Sequence, residues 1–230
     1  MIRERTIQPR SCSGFTLVEL LVVVAILAVL VALSFVVLQR SRIAGSAATM
    51  TNNFRQIGTA IVSYAQDHND YMPGPLHFGQ RSIYRTSPPT HLAYHLRDYL
   101  AAGDTLEERE LIPQLSSPMW RRMTPTEGGI SMFSQQDVDP DPRVRRNPWG
   151  YAGADREDPN ASPIKMARLF SYGRLPWALV EADQAHPDLG SPGWKAQMAE
   201  KPVHGSYRLA LRFDGSVVRL PLDDESGNGR

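Results

Sequence analysis

Between Phe15 and Leu38 the chain reads FTLVELLVVVAILAVLVALSFVVL, 24 residues in which Glu19 is the one charged side chain. As a helix this run spans roughly 36 Å, enough to cross a hydrocarbon core of about 30 Å. A secretory h-region is shorter, about 7–15 residues. The run therefore predicts a membrane-spanning helix, and the lipid bilayer is its expected surrounding. Arg3, Arg5 and Arg10 precede it against Glu4, and Arg40 and Arg42 follow it. By a narrow count the positive-inside rule places the N-terminus in the cytoplasm. Nearly all remaining charge lies beyond Arg40, as expected of an anchor followed by a soluble head. Lys+Arg 25 against Asp+Glu 24 provides no basic field, so nucleic acid is not an expected partner.

Glu19 carries the most information. A carboxylate inside an apolar span costs about 2.5–3.5 kcal/mol on insertion scales, so it asks for a function. The plain alternative is a side chain that snorkels to the interface, one turn from the helix end. Its neighbourhood, Ser13-Gly14-Phe15-Thr16-Leu17-Val18-Glu19-Leu20, resembles the cleavage and methylation motif of type IV prepilins and type II secretion pseudopilins. The match covers the leader, the Gly14–Phe15 junction, the glutamate at the fifth position after it, and the apolar run.

That resemblance implies a pathway. A prepilin peptidase cuts between Gly14 and Phe15, the new amino group of Phe15 is N-methylated, and Glu19 attracts the N-terminal ammonium of a neighbouring subunit during assembly. Pairing relieves two charges that are each costly in lipid. Implied partners are the peptidase, other pilin or pseudopilin subunits, and an inner-membrane assembly platform. The implied location is a single pass through a bacterial inner membrane, with the head in the periplasm or on an extracellular filament. The expected organisation is a leader over 1–14, the membrane half of the helix over 15–38, its outer half over 39–70, and a head over 71–230.

No proline interrupts 15–72. Beyond the span Ile43, Ala47, Met50, Phe54, Ile57, Ile61 and Tyr64 recur at helical spacing, with Thr49, Asn52, Asn53, Arg55, Gln56 and Gln66 expected on the opposite face. This predicts one helix over 15–66 whose outer half packs on the chain's own head. Asp67-His68-Asn69-Asp70 and Pro73-Gly74-Pro75 end it, and Gly45 and Gly58 weaken it. The expected fold is α+β and pilin-like: a long N-terminal helix against a small antiparallel sheet.

Within the head, His91 to Leu100 reads as a short amphipathic helix with Thr90 as N-cap. His91 and His95 are expected at the surface. The stretch 113–148 is rich in turn formers, and within it Asp137-Val138-Asp139-Pro140-Asp141-Pro142 followed by Arg143, Arg145 and Arg146 reads as a solvated loop. These acids, with Asp183 and Asp188, match no EF-hand pattern, and no cofactor or metal is expected. Trp177–Ala182, Tyr207–Phe213 and Ser216–Leu220 read as strands, the last two joined by Asp214-Gly215 in a type I′ hairpin. His204, nine residues before Asp214, gives an H-x9-D-G pattern similar to that of planctomycete and verrucomicrobial prepilin-type proteins. His204, Asp214 and Gly215 are expected to be structural, with His204 bonded to the hairpin backbone.

Cys12 is the one cysteine, which excludes an intrachain disulfide and a cysteine zinc site. No G-x-S-x-G, P-loop, G-x-G-x-x-G or H-E-x-x-H pattern is present, so no enzyme is expected. The competing expectation is an anchored or secreted binding protein cleaved by ordinary signal processing near Ala44-Gly45-Ser46-Ala47.

Overall fold

The computed structural model describes residues 16–100, 107–124, 126–139, 141, 144, 146–151, 153–155, 157–172, 176–186 and 192–222. Gly14, Phe15 and Asp188 lie outside the described residues. The chain divides after Ser41 into two units, and each is taken by itself.

Helix α1 runs Leu17–Asp67. Residues 17–38 of this helix have the length and apolarity to cross a membrane. Their large apolar side chains are exposed, Leu17 at 79% and Val37 at 64%. An apolar surface of this extent calls for lipid or other protein to cover it.

From Arg42 onward the helix belongs to the second unit, and its stripe is the centre of that unit's core. Met50, Phe54, Ile57 and Ile61 are buried with Leu179, Leu209 and Leu211 of the sheet. Thr49, Asn52, Arg55, Gln56 and Gln66 face outward as expected. Asn53 does not: it is buried, and its Nδ2 donates to the carbonyls of Pro113 and Ser116, each at 3.3 Å. The expected polar face is interrupted there because a turn, Pro113–Leu115, lies against the helix and needs donors for its carbonyls.

The helix ends through a left-handed reversal. Asn69 (φ 54°) and Asp70 (φ 70°) turn the chain, and Asp70 N–H returns to the Ala65 carbonyl at 2.8 Å. This is the long bond of a Schellman motif. Asp70 then takes the Ala167 N–H on its carboxylate (3.0 Å) and the Met166 N–H on its carbonyl (2.7 Å), starting α4, Met166–Phe170.

Five antiparallel strands follow one another in space in chain order: β1 Gly79–Arg81, β2 Ile130–Ser134, β3 Trp177–Glu181, β4 Tyr207–Arg212 and β5 Val217–Pro221. A long apolar N-terminal helix followed by this antiparallel sheet is the α+β, pilin-like architecture the sequence predicts. The sheet is covered on both faces. Met132, Leu209 and Leu211 face α1, while Phe133, Val180 and Ala210 pack with Met198 and the partly buried Trp194. Trp194 lies on α5, Pro192–Lys195.

Two local expectations change. The short helix α2 is Leu92–Leu96, continued by a turn over Arg97–Tyr99, and Thr90 does not cap it. The Gln80 side chain does that work, its Oε1 accepting the Leu92 N–H at 2.7 Å. His91 is buried rather than at the surface. The turn-rich stretch 113–148 also holds α3, Pro118–Met123, capped by Ser117, and the fully buried β2.

Gly45 and Gly58 differ in surroundings. A methyl added at Gly45 meets nothing within 4 Å, whereas one at Gly58 meets Leu211 Cδ1 at 3.4 Å. Gly45→Ala is therefore expected to stabilise the helix by about 1 kcal/mol. Hydrogen exchange of the flanking amides should slow accordingly, and unchanged or faster exchange would count against this reading.

Candidate functional site: the helix start and a buried ionic cluster

At the N-terminal end of α1, Thr16 and Glu19 bond reciprocally. Glu19 Oε2 accepts from the Thr16 N–H and from Thr16 Oγ1, both at 2.9 Å, and the Glu19 N–H donates to Thr16 Oγ1 at 3.2 Å. This is a capping box, with Thr16 as N-cap and Glu19 at the third helical position. T-x-x-E ahead of an apolar run was visible in the sequence as such a signal. It explains how a carboxylate is tolerated here, because the otherwise unpaired Thr16 N–H uses it while the Glu19 N–H uses the Thr16 hydroxyl. Both bonds to the carboxylate fall on Oε2.

In the head, the residues expected to form one structural element lie apart. His204 precedes β4 and Asp214-Gly215 follows it, so they sit at opposite ends of that strand. His204 does not bond the hairpin backbone. Its side chain is fully buried, stacks on Tyr207 (ring centroids 5.1 Å), and places Nε2 3.0 Å from Glu181 Oε2. Glu181 Oε2 also accepts the Leu209 N–H at 3.0 Å. Beside this pair Arg208 holds Asp183 with two bonds, Nε to Oδ2 at 2.6 Å and Nη2 to Oδ1 at 3.0 Å. Asp183 Oδ1 also takes the Ala185 N–H at 2.9 Å.

Glu181, Asp183, His204 and Arg208 form a buried set in which each carboxylate has a guanidinium or imidazole partner. Burial without such partners is prohibitive. Asp183 is thus committed to Arg208. Glu181 and Arg208 went unread in the sequence. A lone glutamate closing the apolar run Trp177–Glu181 is the signal that finds the first, since a buried carboxylate requires a donor nearby.

The hairpin turn also differs from the expected type I′. Among described non-glycine residues only Asn69, Asp70 and Arg109 have positive φ, so Asp214 does not, while Gly215 has φ 82°. The loop is three residues, Phe213-Asp214-Gly215, closed by Gly215 N–H to the Arg212 carbonyl (3.0 Å) and Arg212 N–H to the Ser216 carbonyl (2.8 Å). Such a loop needs a left-handed residue at its last position alone. Asp214 accepts from Ser216 Oγ (2.6 Å) and its N–H (2.9 Å), which holds its carboxyl below the usual range.

The acids of the 137–141 loop are similarly self-occupied. Asp137 Oδ1 accepts the N–H groups of Asp139 and Arg146, and Asp139 Oδ1 accepts that of Asp141. Among the described residues no group of three His, Cys, Asp or Glu is placed to hold a metal.

Residues 9–35 match the family described as the prokaryotic N-terminal methylation motif. No curated protein and no solved structure matches the chain. The matched segment begins before Gly14 and runs through the capping box into the apolar helix. The motif indicates pilin- or pseudopilin-like processing by a peptidase, assembly with other such subunits, and membrane anchoring. It suggests a structural subunit rather than an enzyme.

Proposed function

We propose that the chain is a structural subunit, pilin or pseudopilin, of a type IV pilus-like or type II secretion filament. It is cut after Gly14, methylated on the Phe15 amine, and assembled through Glu19. The observation that carries this reading is the methylation-motif match over residues 9–35, which overlaps, from Leu17 on, an exposed apolar helix with Glu19 in its first turn. The capping geometry supports the role given to Glu19. With Oε2 occupied by Thr16, Oε1 is the oxygen left to receive a neighbour's ammonium, so the carboxylate serves its own helix and a second subunit at once. The anchor is a single pass, with the head beyond the inner membrane.

The test is the N-terminus of the membrane-extracted protein, read by mass spectrometry. A chain starting at methylated Phe15 is the expected result. A start at Ser46 or Ala48 means ordinary signal cleavage and ends the filament reading. An intact Met1 leaves only an anchor, and likewise overturns it.

A further inference from the structure

Beside the outer half of α1 the head opens a groove of about 490 Å³, within the roughly 300–1,000 Å³ usual for small-molecule sites. Its floor is Met72, Leu169 and Leu211, which belong to the core, and its walls are Val62, Met166, Phe170 and Phe213. Large apolar side chains are covered nearly everywhere else in the head. Among the described residues from Arg42 onward five are exposed, and two of them, Val62 at 45% and Phe170 at 53%, stand in this groove. Met72 and Met166 give it adaptable surfaces, since a methionine side chain reshapes around what it touches.

The charged groups lining the groove are Arg55, Arg212 and Asp214. Asp214 is taken up by Ser216, whose hydroxyl and N–H donate to it at 2.6 and 2.9 Å, with the charge of Arg212 nearby. Among the described residues neither the Arg55 nor the Arg212 guanidinium donates a hydrogen bond. Two arginines against one carboxylate leave one positive charge. The elements around the groove do not cancel it: α1 has no acid between Arg42 and Gln66, α4 has none, and the β4–β5 hairpin has Asp214 alone. Asp70, near Met72, is bonded to the Ala167 N–H, and Glu181, on the strand of Ala178, is paired with His204.

We infer that this groove binds a small organic acid, an apolar body carrying a single carboxylate, with the body among Val62, Met166 and Phe170 and the carboxylate on Arg55. The apolar walls gain by being removed from water. A planar guanidinium receives a carboxylate through two parallel N–H bonds. One uncompensated charge matches a monoanion. An inorganic anion would leave the walls wet, and a neutral apolar molecule would leave the charge unanswered. The inference is independent of the filament reading, because it rests on the head alone.

The test is a titration of the full chain, in a non-ionic detergent and carrying ¹³C-methyl methionine, with 4-phenylbutanoate as the probe. The methyl resonances of Met72 and Met166 should shift saturably, while those of Met119, Met123 and Met198, which lie in other clusters, stay in place. Arg55→Gln should weaken binding about three- to fivefold, the loss of one partly solvated ion pair. Replacing the probe by 4-phenylbutan-1-ol should weaken it by a similar factor. Val62→Trp, at an exposed helix position, should fill the groove and abolish the shifts, and Arg121→Gln, at an exposed arginine of α3, should change nothing. The methionine spectrum itself reports whether each variant is folded. Absence of saturable shifts, methyls that all move together, or equal affinity for acid and alcohol overturns the inference. Shifts at Met72 and Met166 that follow protein concentration and not the probe assign the groove to a second copy of the chain, and overturn it as well.

Discussion

Asp183→Ala is expected to destabilise the head by about 3–5 kcal/mol, the usual cost of stranding one member of a buried ion pair. The substitution removes both acceptors of Arg208, whose side chain is 9% exposed, and leaves the guanidinium without water or counterion. Set against the roughly 5–15 kcal/mol that holds a domain together, this is a large fraction. Denaturant unfolding followed by near-ultraviolet circular dichroism measures it. The double replacement Asp183→Leu with Arg208→Met should recover most of the loss, because two apolar groups of similar volume leave no charge buried. A loss under about 1 kcal/mol for Asp183→Ala alone would show that the pair is more hydrated than its geometry implies.

Lowering the pH is expected to destabilise the head through His91. Burial, then the charges of Arg81, His77, Arg85 and His95, push this imidazole down to about 3 from its ordinary 6.5. The folded state therefore keeps it neutral while the unfolded chain protonates below pH 6.5. Stability is full above 6.5 and falls as the pH drops toward 3, because the unfolded state binds the extra proton. At pH 5 the loss from this one group is about 2 kcal/mol. His77 and His95 are lowered in the same direction by burial, so the whole protein falls more steeply. The comparison that isolates His91 is His91→Gln against the unmodified chain at pH 8 and pH 5. The gap between the two should shrink by about 2 kcal/mol on acidification. Parallel behaviour would refute the assignment.

The parts of the fold readable from sequence are those with an uninterrupted period. Met50, Phe54, Ile57 and Ile61 announce the buried face of α1, and the apolar runs at Trp177 and Tyr207 announce β3 and β4. β2 was hidden because Ile130–Ser134 is buried on both faces and shows no alternation. β1 has only three residues, too short for any pattern. Asn53 and His91 were misplaced for one reason: each is polar, and its burial depends on a distant segment. The carbonyls of Pro113 and Ser116 draw Asn53 inward, and no helical wheel contains them. Type I′ was favoured by the Asp-Gly pair, but the extra residue Phe213 in the loop moves the left-handed requirement onto Gly215 alone. At the helix start, Glu19 stood out by its cost in an apolar run, while its bonding to Thr16 follows from a spacing equally visible there.

The chain order of the sheet has a bearing on how copies of this protein tolerate one another. A meander has two open edges, here β1 and β5, and an open edge can accept a strand from another molecule. β1 offers only three residues, with a register shift between Gln80 and Arg81. β5 offers five, but Arg219 stands exposed in its middle over the Tyr207 ring, and it closes on Pro221, which has no N–H to give. A subunit whose proposed work is to be packed at high density beside its own kind thus presents little to which a foreign strand can zip. Contacts between heads are steered to side chains, which can be exchanged, and away from sheet fusion, which cannot.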